Sequence, residues 1–345
     1  MGFSAHSFLS TLKTRIKGRQ RLINVNVINL FANMKVIKSS VSILDQGPGI
    51  EGMFKHIEKC GRISYKSEDL INSESYKRFI KMLEGKGHWA VFELGTVYLK
   101  FPIDKFPESL KSNPLHTRWN QVGEDVYLTT NYRVICQDGL QDFMSSYWVE
   151  PTENHKKRVT AHWICNRSTS HQIVRSRSYS FVQESQRYCN YNKGKFDGEL
   201  TYILPQWVYR VRQSIGTTVD SQTYESRAWI LGFDGQRLWD ELTLWDRTVA
   251  SRDHLWEAIE EEYRFETLTD ESEKLKPEEA RGILPNDIKT ELCMCGYLED
   301  WLYSPKEGSS EKAGFLNLRC APDAQSDIRV LAESLRTQFE ERGWK

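Results

Sequence analysis

Stretches with strand spacing and stretches with helical spacing follow one another along this chain in an irregular order. Alternating apolar residues predict strands, and apolar residues three and four positions apart predict amphipathic helices. The predicted strands cover residues 36–44, 95–101, 127–135, 159–165 and 288–295, and the predicted helices cover 53–65, 73–84, 253–265, 277–283 and a last stretch that begins near Pro322. Because no regular strand-helix-strand series occurs, we predict an α+β fold with a mixed sheet flanked by helices.

Composition excludes several classes of protein. The chain has 345 residues, of which 39% are hydrophobic and 12% aromatic, and neither a disordered chain nor a small disulfide scaffold has this composition. No apolar run approaches the roughly 18 residues that span a bilayer, so we predict a soluble protein without a membrane partner. No internal repeat and no linker rich in proline or glycine divides the sequence.

Charge is balanced overall but unevenly distributed. The 47 basic and 47 acidic residues sum to zero, which argues against a uniformly basic surface and against stable nucleic-acid binding. No acidic residue precedes Asp45, although five basic residues precede Met34. Residues 1–33 are either an organellar transit peptide or a basic N-terminal extension, and the lack of a sustained amphipathic face favours the extension. We predict a single domain over residues 34–345.

The seven cysteines form no CxxC pair, and their number is odd. This usage predicts a reduced, cytoplasmic compartment. Cys293 and Cys295 alternate along a predicted strand, and no second Cys/His pair stands at zinc-finger spacing. We therefore expect no metal site.

A glycine pattern, GxGxxG at residues 47–52, lies between a predicted strand and a predicted helix. In this context it is typical of a dinucleotide-binding turn, in which the backbone approaches a pyrophosphate. A second parallel strand that ends in an acidic residue about 20 positions later is missing, because Glu68 and Asp69 stand in a polar stretch. The pattern therefore favours a plain strand-to-helix connection.

The segment with the clearest chemistry reads HQIVRSRSYSFVQESQRY and covers residues 171–188. Three arginines fall within 13 residues, and Glu184 is the one acidic residue among them. The planar guanidinium binds phosphate in a bidentate manner, and hydroxyl, amide and backbone N–H groups complete the coordination of an oxyanion. The alternative is a solvated basic face with salt bridges. Because few acidic residues are nearby, the sequence favours neither the phosphate site nor the solvated basic face.

This segment resembles the signature RHRxxSxxxxSxRY of the flavin-dependent thymidylate synthases (ThyX). Residues 175–188 have its length and spacing, with Ser176 at the position of the central His and Val182-Gln183 at that of a common Asn-Glu pair. Further blocks also match in order. They are RISY at residues 62–65, GHxSxxEH at 87–94 with Ala90 and Leu94 as departures, ARxxLP with a later Thr at 280–290, and FxxxRxxxxAQxxIR at 315–329.

Two regions depart from the family pattern. Tyr297-Leu298-Glu299 stands where the family has the N-x-R flavin contact, and segments near 195–270 and 304–314 are insertions relative to the family. The resemblance implies a single catalytic domain over 34–345 with these insertions, a ThyX-like mixed sheet flanked by helices, and a homotetramer with active sites at subunit interfaces.

The resemblance implies reductive methylation of dUMP to dTMP. Methylenetetrahydrofolate supplies the carbon, and NADPH reduces the FAD that carries the hydride. The catalytic residue is Arg319, because a guanidinium beside the uracil imide favours negative charge on the ring. The alternative is an arginine that pairs with an acid such as Asp323. Cys189 and Ser185 are not expected to act as nucleophiles, since neither has an activating environment in the sequence.

The resemblance also assigns binding residues. The cofactor-binding residues are Arg175, Ser176, Arg177, Gln183, His88 and Glu93. The substrate-binding residues are Gln172, Arg175, Gln183, Glu184, Ser185, Gln186, Arg187, Arg281 and Arg319. Two other functions stay open. The first is an enzyme of the same scaffold, such as a pyrimidine-nucleotide hydroxymethylase, and the second is a non-catalytic nucleotide- or RNA-binding paralogue.

Overall fold

The computed structural model describes residues 35–185, 201–206, 286–303 and 313–344. All of them belong to one unit, Met34–Lys345. Outside the described residues lie the N-terminal extension, nearly all of the insertion near 195–270, the predicted helices 253–265 and 277–283, and residues 304–312. Four residues singled out from the sequence are also outside: Gln186, Arg187, Cys189 and Arg281.

The described chain contains strands and helices in the irregular order that the sequence predicts. The strands are β1 (Lys35–Ile37), β2 (Ser40–Leu44), β3 (Thr96–Pro102), β4 (Arg118–Val122), β5 (Asp125–Asn131), β6 (Arg158–Asn166), β7 (Ser180–Gln183), β8 (Thr201–Ile203) and β9 (Lys289–Tyr297). The α-helices are α1 (Gly49–Tyr65), α2 (Ser75–Gly85), α3 (Glu108–Lys111), α4 (Tyr132–Gln137), α5 (Gln141–Tyr147), α6 (Arg167–Ile173), α7 (Leu298–Leu302), α8 (Phe315–Arg319) and α9 (Ser326–Glu341). Short 3-10 helices cover Glu68–Leu70, Trp89–Leu94 and Ile103–Lys105.

The central sheet has the strand order β2-β6-β9-β7, and all of its neighbouring strands are antiparallel. A second sheet has the order β3-β5-β4, and β1 pairs with β8 in parallel. The predicted α+β class is confirmed. Among the described residues, no helix combines the length and the apolar character needed to cross a membrane.

Strand β9 separates two hydrophobic cores. Cys293 and Cys295 face a core built with α1, α2 and β3, whereas Leu292 and Met294 face a core built with α8 and α9. Because side chains alternate across a strand, the apolar run 292–295 of this strand serves both cores. The predicted strand with alternating cysteines is confirmed, and these cysteines are buried and unpaired.

The strand predicted over residues 127–135 is wrong in its second half. Strand β5 ends at Asn131, and α4 begins at the next residue. The Oδ1 atom of Asn131 accepts a hydrogen bond from the backbone N–H of Val134 at 3.1 Å. This side chain caps the helix, so the β-branched residues after it adopt helical rather than extended backbone.

The glycine pattern at residues 47–52 forms the connection between β2 and α1. Strand β2 pairs antiparallel with β6, unlike the parallel strands of a dinucleotide-binding unit. The backbone N–H of Gly49 donates to Oε1 of Glu150 at 2.7 Å, so a carboxylate of the protein lies at the start of this helix. A Cβ atom on Gly52 would lie 2.2 Å from the carbonyl carbon of Gly47. Glycine is required here for packing of the turn.

Gly52→Ala is expected to destabilise the protein by about 2 kcal/mol or more, because backbone atoms on both sides of the clash must move. The matched control is Gly85→Ala at the end of α2, where a Cβ atom meets nothing within 4 Å. That change should leave stability unchanged or raise it by up to about 1 kcal/mol. Urea denaturation measures both, and equal stability of the two variants would contradict the packing argument.

His56 makes the stability of the fold sensitive to acid. Its side chain is buried, and Nε2 lies 3.1 Å from Oγ1 of Thr160. Burial lowers the pKa of His56 from 6.5 to about 4. Below pH 6.5 the unfolded chain therefore binds a proton at His56, whereas the folded chain does not bind it until about pH 4. The free energy of unfolding consequently falls as the pH falls from 6.5 to about 4.

Titration of this one group lowers the free energy of unfolding by roughly 3 kcal/mol between pH 6.5 and pH 4. We expect His56→Gln to flatten that part of the stability profile, although it lowers stability at pH 7 through imperfect packing. Chemical denaturation at several pH values measures the slope. An unchanged slope in the variant would show that other groups cause the acid sensitivity.

Candidate active site

The arginine turn, residues 174–179, connects α6 to β7. Asn166 sets the start of α6, because its Oδ1 accepts a hydrogen bond from the backbone N–H of Thr169 at 2.8 Å. Arg175 and Arg177 are exposed, and within the described ranges no carboxylate forms an ion pair with either of them. The backbone N–H of Ser176 donates to the carbonyl oxygen of Ile173 at 3.1 Å. The turn therefore offers guanidinium groups to an anion, while this backbone amide is already used.

Arg319 lies in the same region and belongs to α8, a helix of the core that faces Leu292 and Met294. It ends α8, is half-buried, and donates from Nη2 to the carbonyl oxygen of Gln172 at 3.0 Å. Burial, and after it the positive charge of Arg175, lowers the pKa of Arg319. In the described part of the chain, neither Asp323 nor any other acid pairs with Arg319. The alternative prediction, an ion pair between Arg319 and Asp323, is therefore wrong. Neighbouring guanidinium groups without a carboxylate form a site for an anion.

Two glutamines assigned to nucleotide binding are anchored to the surrounding elements. The side-chain amide of Gln183 donates to Oγ of Ser170 at 3.0 Å and to Oγ1 of Thr290 at 3.2 Å. Nε2 of Gln172 lies 3.5 Å from Oε1 of Gln325, at the start of α9. Strand β7 is thereby tied to α6 and β9, and α6 to α9, so the predicted substrate residues Gln172, Gln183 and Arg319 are brought together.

Beside Gln183 lies an ion cluster of which the sequence predicted only Glu184 as a site residue. It consists of Lys66, His162, Glu184, Lys289 and Glu291. Nζ of Lys289 lies 3.3 Å from Glu184, and Nζ of Lys66 lies 3.8 Å from it. Both ammonium groups also pair with Glu291, whose other oxygen lies 3.0 Å from Nε2 of His162. Glu184, the one acid of the arginine segment, thus faces lysines, and no other described carboxylate pairs with Arg175 or Arg177.

The two carboxylates of the ion cluster titrate differently. Burial raises the pKa of Glu184, although Lys289 and Lys66 oppose this shift. Burial also acts on Glu291, but the hydrogen bond from His162 and the charges of the two lysines outweigh it, so the pKa of Glu291 is well below its usual range. Their surroundings therefore shift the pKa values of these two glutamates in opposite directions, as occurs at many functional sites.

The two residues predicted upstream, His88 and Glu93, make contacts of their own. Nδ1 of His88 is hydrogen-bonded to the hydroxyl of Tyr65, whose ring stacks on the imidazole. Glu93 pairs with Arg133, and its carbonyl oxygen accepts a hydrogen bond from Arg158 at 2.9 Å. No described hydrogen bond or ion pair joins either residue to the arginine turn.

The 3-10 helix Trp89–Leu94, which holds Glu93, packs against β7 and β9. Strand β7 ends in Gln183, so Glu93 lies on an element that contacts the strand of another predicted cofactor residue. His88 directly precedes this helix, and its partner Tyr65 directly precedes Lys66 of the ion cluster.

The residues at the position of the family's N-x-R contact are used inside this chain. Glu299 pairs with Lys156 and lies 3.0 Å from Arg118. The hydroxyl of Tyr297 donates to the carbonyl oxygen of Thr129 at 2.7 Å, and the Arg118 guanidinium lies 4.2 Å from the centre of its ring. Glu299 reverses the charge at this position, and Arg118 and Lys156 balance it.

A cavity of about 310 Å³ lies elsewhere, beside the glycine turn, with Gln46, Trp148 and Arg158 in its wall. Gln46 is engaged there by two hydrogen bonds of 2.8 Å to the backbone of Thr96. The cavity does not reach the arginine turn. Among the described residues, no cluster of three or more His, Cys, Asp or Glu side chains could hold a metal ion.

Apart from Glu184, the ion cluster is the part of the site that the sequence did not predict. Its signal was present but weak, since Lys66 follows the RISY block and Lys289 and Glu291 flank Thr290 of another block. Ser185 was predicted, and its backbone N–H donates to the carbonyl oxygen of Ser64 at 3.4 Å. The predicted roles of the described site residues stay predictions.

Comparisons with known proteins agree with the motifs. A family model described as thymidylate synthase complementing protein matches residues 154–342, more than half of the chain. Among curated protein sequences none matches. Two solved structures of the UMP/dUMP methylase PolB from Streptomyces cacaoi are 13% identical to the chain, with TM-scores of 0.34 for the complex with 5-Br dUMP and 0.36 for that with 5-Br UMP.

The alignments with these two structures cover 89% and 90% of this chain and 92% of each PolB chain, but the TM-scores are too low to establish a shared fold. The family match includes the arginine turn, the ion-cluster residues of β6 and β9 together with Glu184, and Arg319. The chain therefore belongs to the thymidylate synthase complementing protein family (ThyX), as its motifs predict.

Proposed function

We propose that this protein is a flavin-dependent thymidylate synthase that converts dUMP to dTMP by reductive methylation. The observation that carries the proposal is the pairing of Arg319 with the Gln172 carbonyl at 3.0 Å, beside Arg175 and without a described acidic partner. Such a site binds an anion and stabilises negative charge. Family membership supports the choice of a pyrimidine nucleotide.

Each described residue has a defined task in this proposal. Arg319 is placed beside the uracil imide, where its guanidinium favours negative charge on the ring and activates it toward carbon transfer. Gln172 and Gln183 orient the nucleotide, since both are fixed by hydrogen bonds to neighbouring elements. Ser185 contributes to the same binding segment, and Gln186, Arg187 and Arg281 are proposed from the motifs alone.

The exposed Arg175 and Arg177 fit the phosphates of FAD, because no described carboxylate neutralises them. Bound FAD supplies hydride transfer after reduction by NADPH, and methylenetetrahydrofolate supplies the carbon. The chain's own contribution is to bind and orient these anionic ligands. His88 and Glu93 are proposed to line the flavin or folate side.

We further propose a homotetramer with composite active sites. Family membership supports this proposal, because the resemblance implies active sites at subunit interfaces. Analytical ultracentrifugation tests this proposal, and a monomer that is fully active would overturn it. A cytoplasmic location is proposed from the unpaired cysteines.

The visible spectrum of the purified protein, recorded with and without dUMP, tests the flavin. A bound flavin should absorb in the visible range, and dUMP should perturb its bands because the two rings stack in the proposed complex. A colourless protein that takes up no FAD and does not oxidise NADPH in the presence of dUMP would favour the non-catalytic paralogue.

Product analysis separates the synthase from a second candidate, a pyrimidine-nucleotide hydroxymethylase. The candidate rests on Ser176 at the position of the family's His and on the charge reversal at Glu299. Mass spectrometry of the nucleotide formed from dUMP, methylenetetrahydrofolate and NADPH is decisive. Gain of one methyl group supports the synthase, whereas gain of a hydroxymethyl group supports the alternative.

A further inference from the structure

Lys66 has a backbone conformation that is unusual for a lysine. It ends α1 with φ of 50° and ψ of 59°, in the left-handed region. Among the described residues it is the one non-glycine residue with positive φ. Glycine is the usual residue at such a helix end, because a Cβ atom is unfavourable there. A lysine that occupies the position despite this penalty points to a use for its side chain.

The side chain of Lys66 extends into the ion cluster. Its side chain is 12% exposed, and Nζ pairs with Glu291 and lies 3.8 Å from Glu184. The two lysines and the two glutamates of the cluster balance one another in formal charge. Without Lys66, two buried carboxylates would share Lys289 and repel each other.

The cluster lies directly under the segment Gln183–Ser185, to which nucleotide binding is assigned. The backbone N–H of Glu184 donates to the carbonyl oxygen of Glu291 at 2.7 Å, and that of Ser185 donates to the carbonyl oxygen of Ser64 at 3.4 Å. The same segment therefore touches β9 on one side and the last turn of α1 on the other. Lys66 connects these two elements through Glu291 and Glu184.

We propose that Lys66 is a positioning residue for the uracil nucleotide: its ammonium holds Gln183–Ser185 against α1 and β9 in the geometry that binds dUMP. The nucleotide part of this inference rests on the proposed function, whereas the positioning of the segment does not. Lys66 acts through Glu184 and Glu291 and does not itself contact the substrate.

The test compares Lys66→Gly and Lys66→Asn with Lys66→Arg. Glycine and asparagine both accept the left-handed backbone and remove the charge, whereas arginine keeps the charge. The matched control is Lys86→Gly, because Lys86 ends α2 as an exposed lysine with ordinary backbone angles. Glu68→Gln is a second control, since Glu68 contacts Lys66 at 3.5 Å from the solvent side.

Two readouts are made on the full-length protein at a temperature where circular dichroism shows each variant folded. Hydrogen exchange followed by mass spectrometry reports the amides of Glu184 and Ser185, which should exchange about tenfold faster in the two neutral variants than in wild type. Titration with dUMP and steady-state kinetics should show Kd and KM raised about tenfold with little change in kcat.

Lys66→Arg should recover most of the wild-type behaviour, and the two controls should match wild type. Wild-type exchange at residues 184–185 in both neutral variants would overturn the positioning role, as would a fall in melting temperature with unchanged exchange and unchanged KM. If wild type itself binds no dUMP, the proposed function fails, and the exchange experiment still decides whether Lys66 holds the segment.

Discussion

Replacement of Arg319 by lysine is expected to lower kcat/KM for dUMP by about 100-fold to 1000-fold. Lysine keeps the positive charge but loses the planar guanidinium, which can bond to the Gln172 carbonyl and still face a ligand. Arg319 is half-buried, and no acid among the described residues pairs with it, so the substitution removes a directed hydrogen-bonding group and not a salt bridge of the core. The melting temperature should therefore change by only a few degrees. Steady-state assays of dTMP formation, together with thermal unfolding, measure both quantities.

The matched control is Arg78→Lys, because Arg78 is an exposed arginine on α2 outside all motifs. It should leave kcat/KM unchanged. Cys189→Ala should also retain turnover, since no thiolate nucleophile is needed when a flavin carries the hydride. Full activity of Arg319→Lys, or loss of activity in Cys189→Ala, would contradict the assignment of the catalytic residue.

Trp301→Ala is expected to cause the largest loss of stability, about 3 to 5 kcal/mol. Trp301 is fully buried, and its indole packs edge-on against Tyr179 with ring centroids 4.8 Å apart and against Phe315 at 5.4 Å. Its Nε1 donates to the carbonyl oxygen of Gly296 at 3.3 Å. The substitution thus leaves a large cavity and removes one buried hydrogen bond. Because Tyr179 belongs to the arginine turn and Phe315 starts α8, activity should fall together with stability.

Trp119→Ala is the matched control, since Trp119 is 41% exposed on β4. It should cost less than about 1 kcal/mol. Urea denaturation with tryptophan-independent detection, such as far-ultraviolet circular dichroism, measures both variants. A similar loss of unfolding free energy in the two variants would contradict a special role of Trp301 in the core built with α8 and α9.

Local patterns in the sequence predicted the α+β class and the principal strands, because periodicity reports which side of an element is buried. They failed at residues 127–135, where runs of apolar and β-branched residues suit a strand and a buried helix equally well. There the Asn131 cap decides the outcome. They also predicted one strand over 36–44, whereas β1 pairs with β8 and β2 pairs with β6. Which strands pair with each other depends on contacts between distant parts of the chain, and the local periodicity of the sequence does not report these contacts.

The sequence by itself determined the family, because the arginine segment and the blocks around Arg281 and Arg319 are local patterns that survive without knowledge of the fold. Only the tertiary structure decided which charges meet. Read along the chain, Glu184 opposes the arginines, but in the fold its carboxylate, just after β7, meets Lys66 and Lys289, far away in sequence. Burial favours this pairing strongly, since an unpaired charge in the interior is unfavourable. Among the described residues, the arginine turn is therefore left without a carboxylate partner.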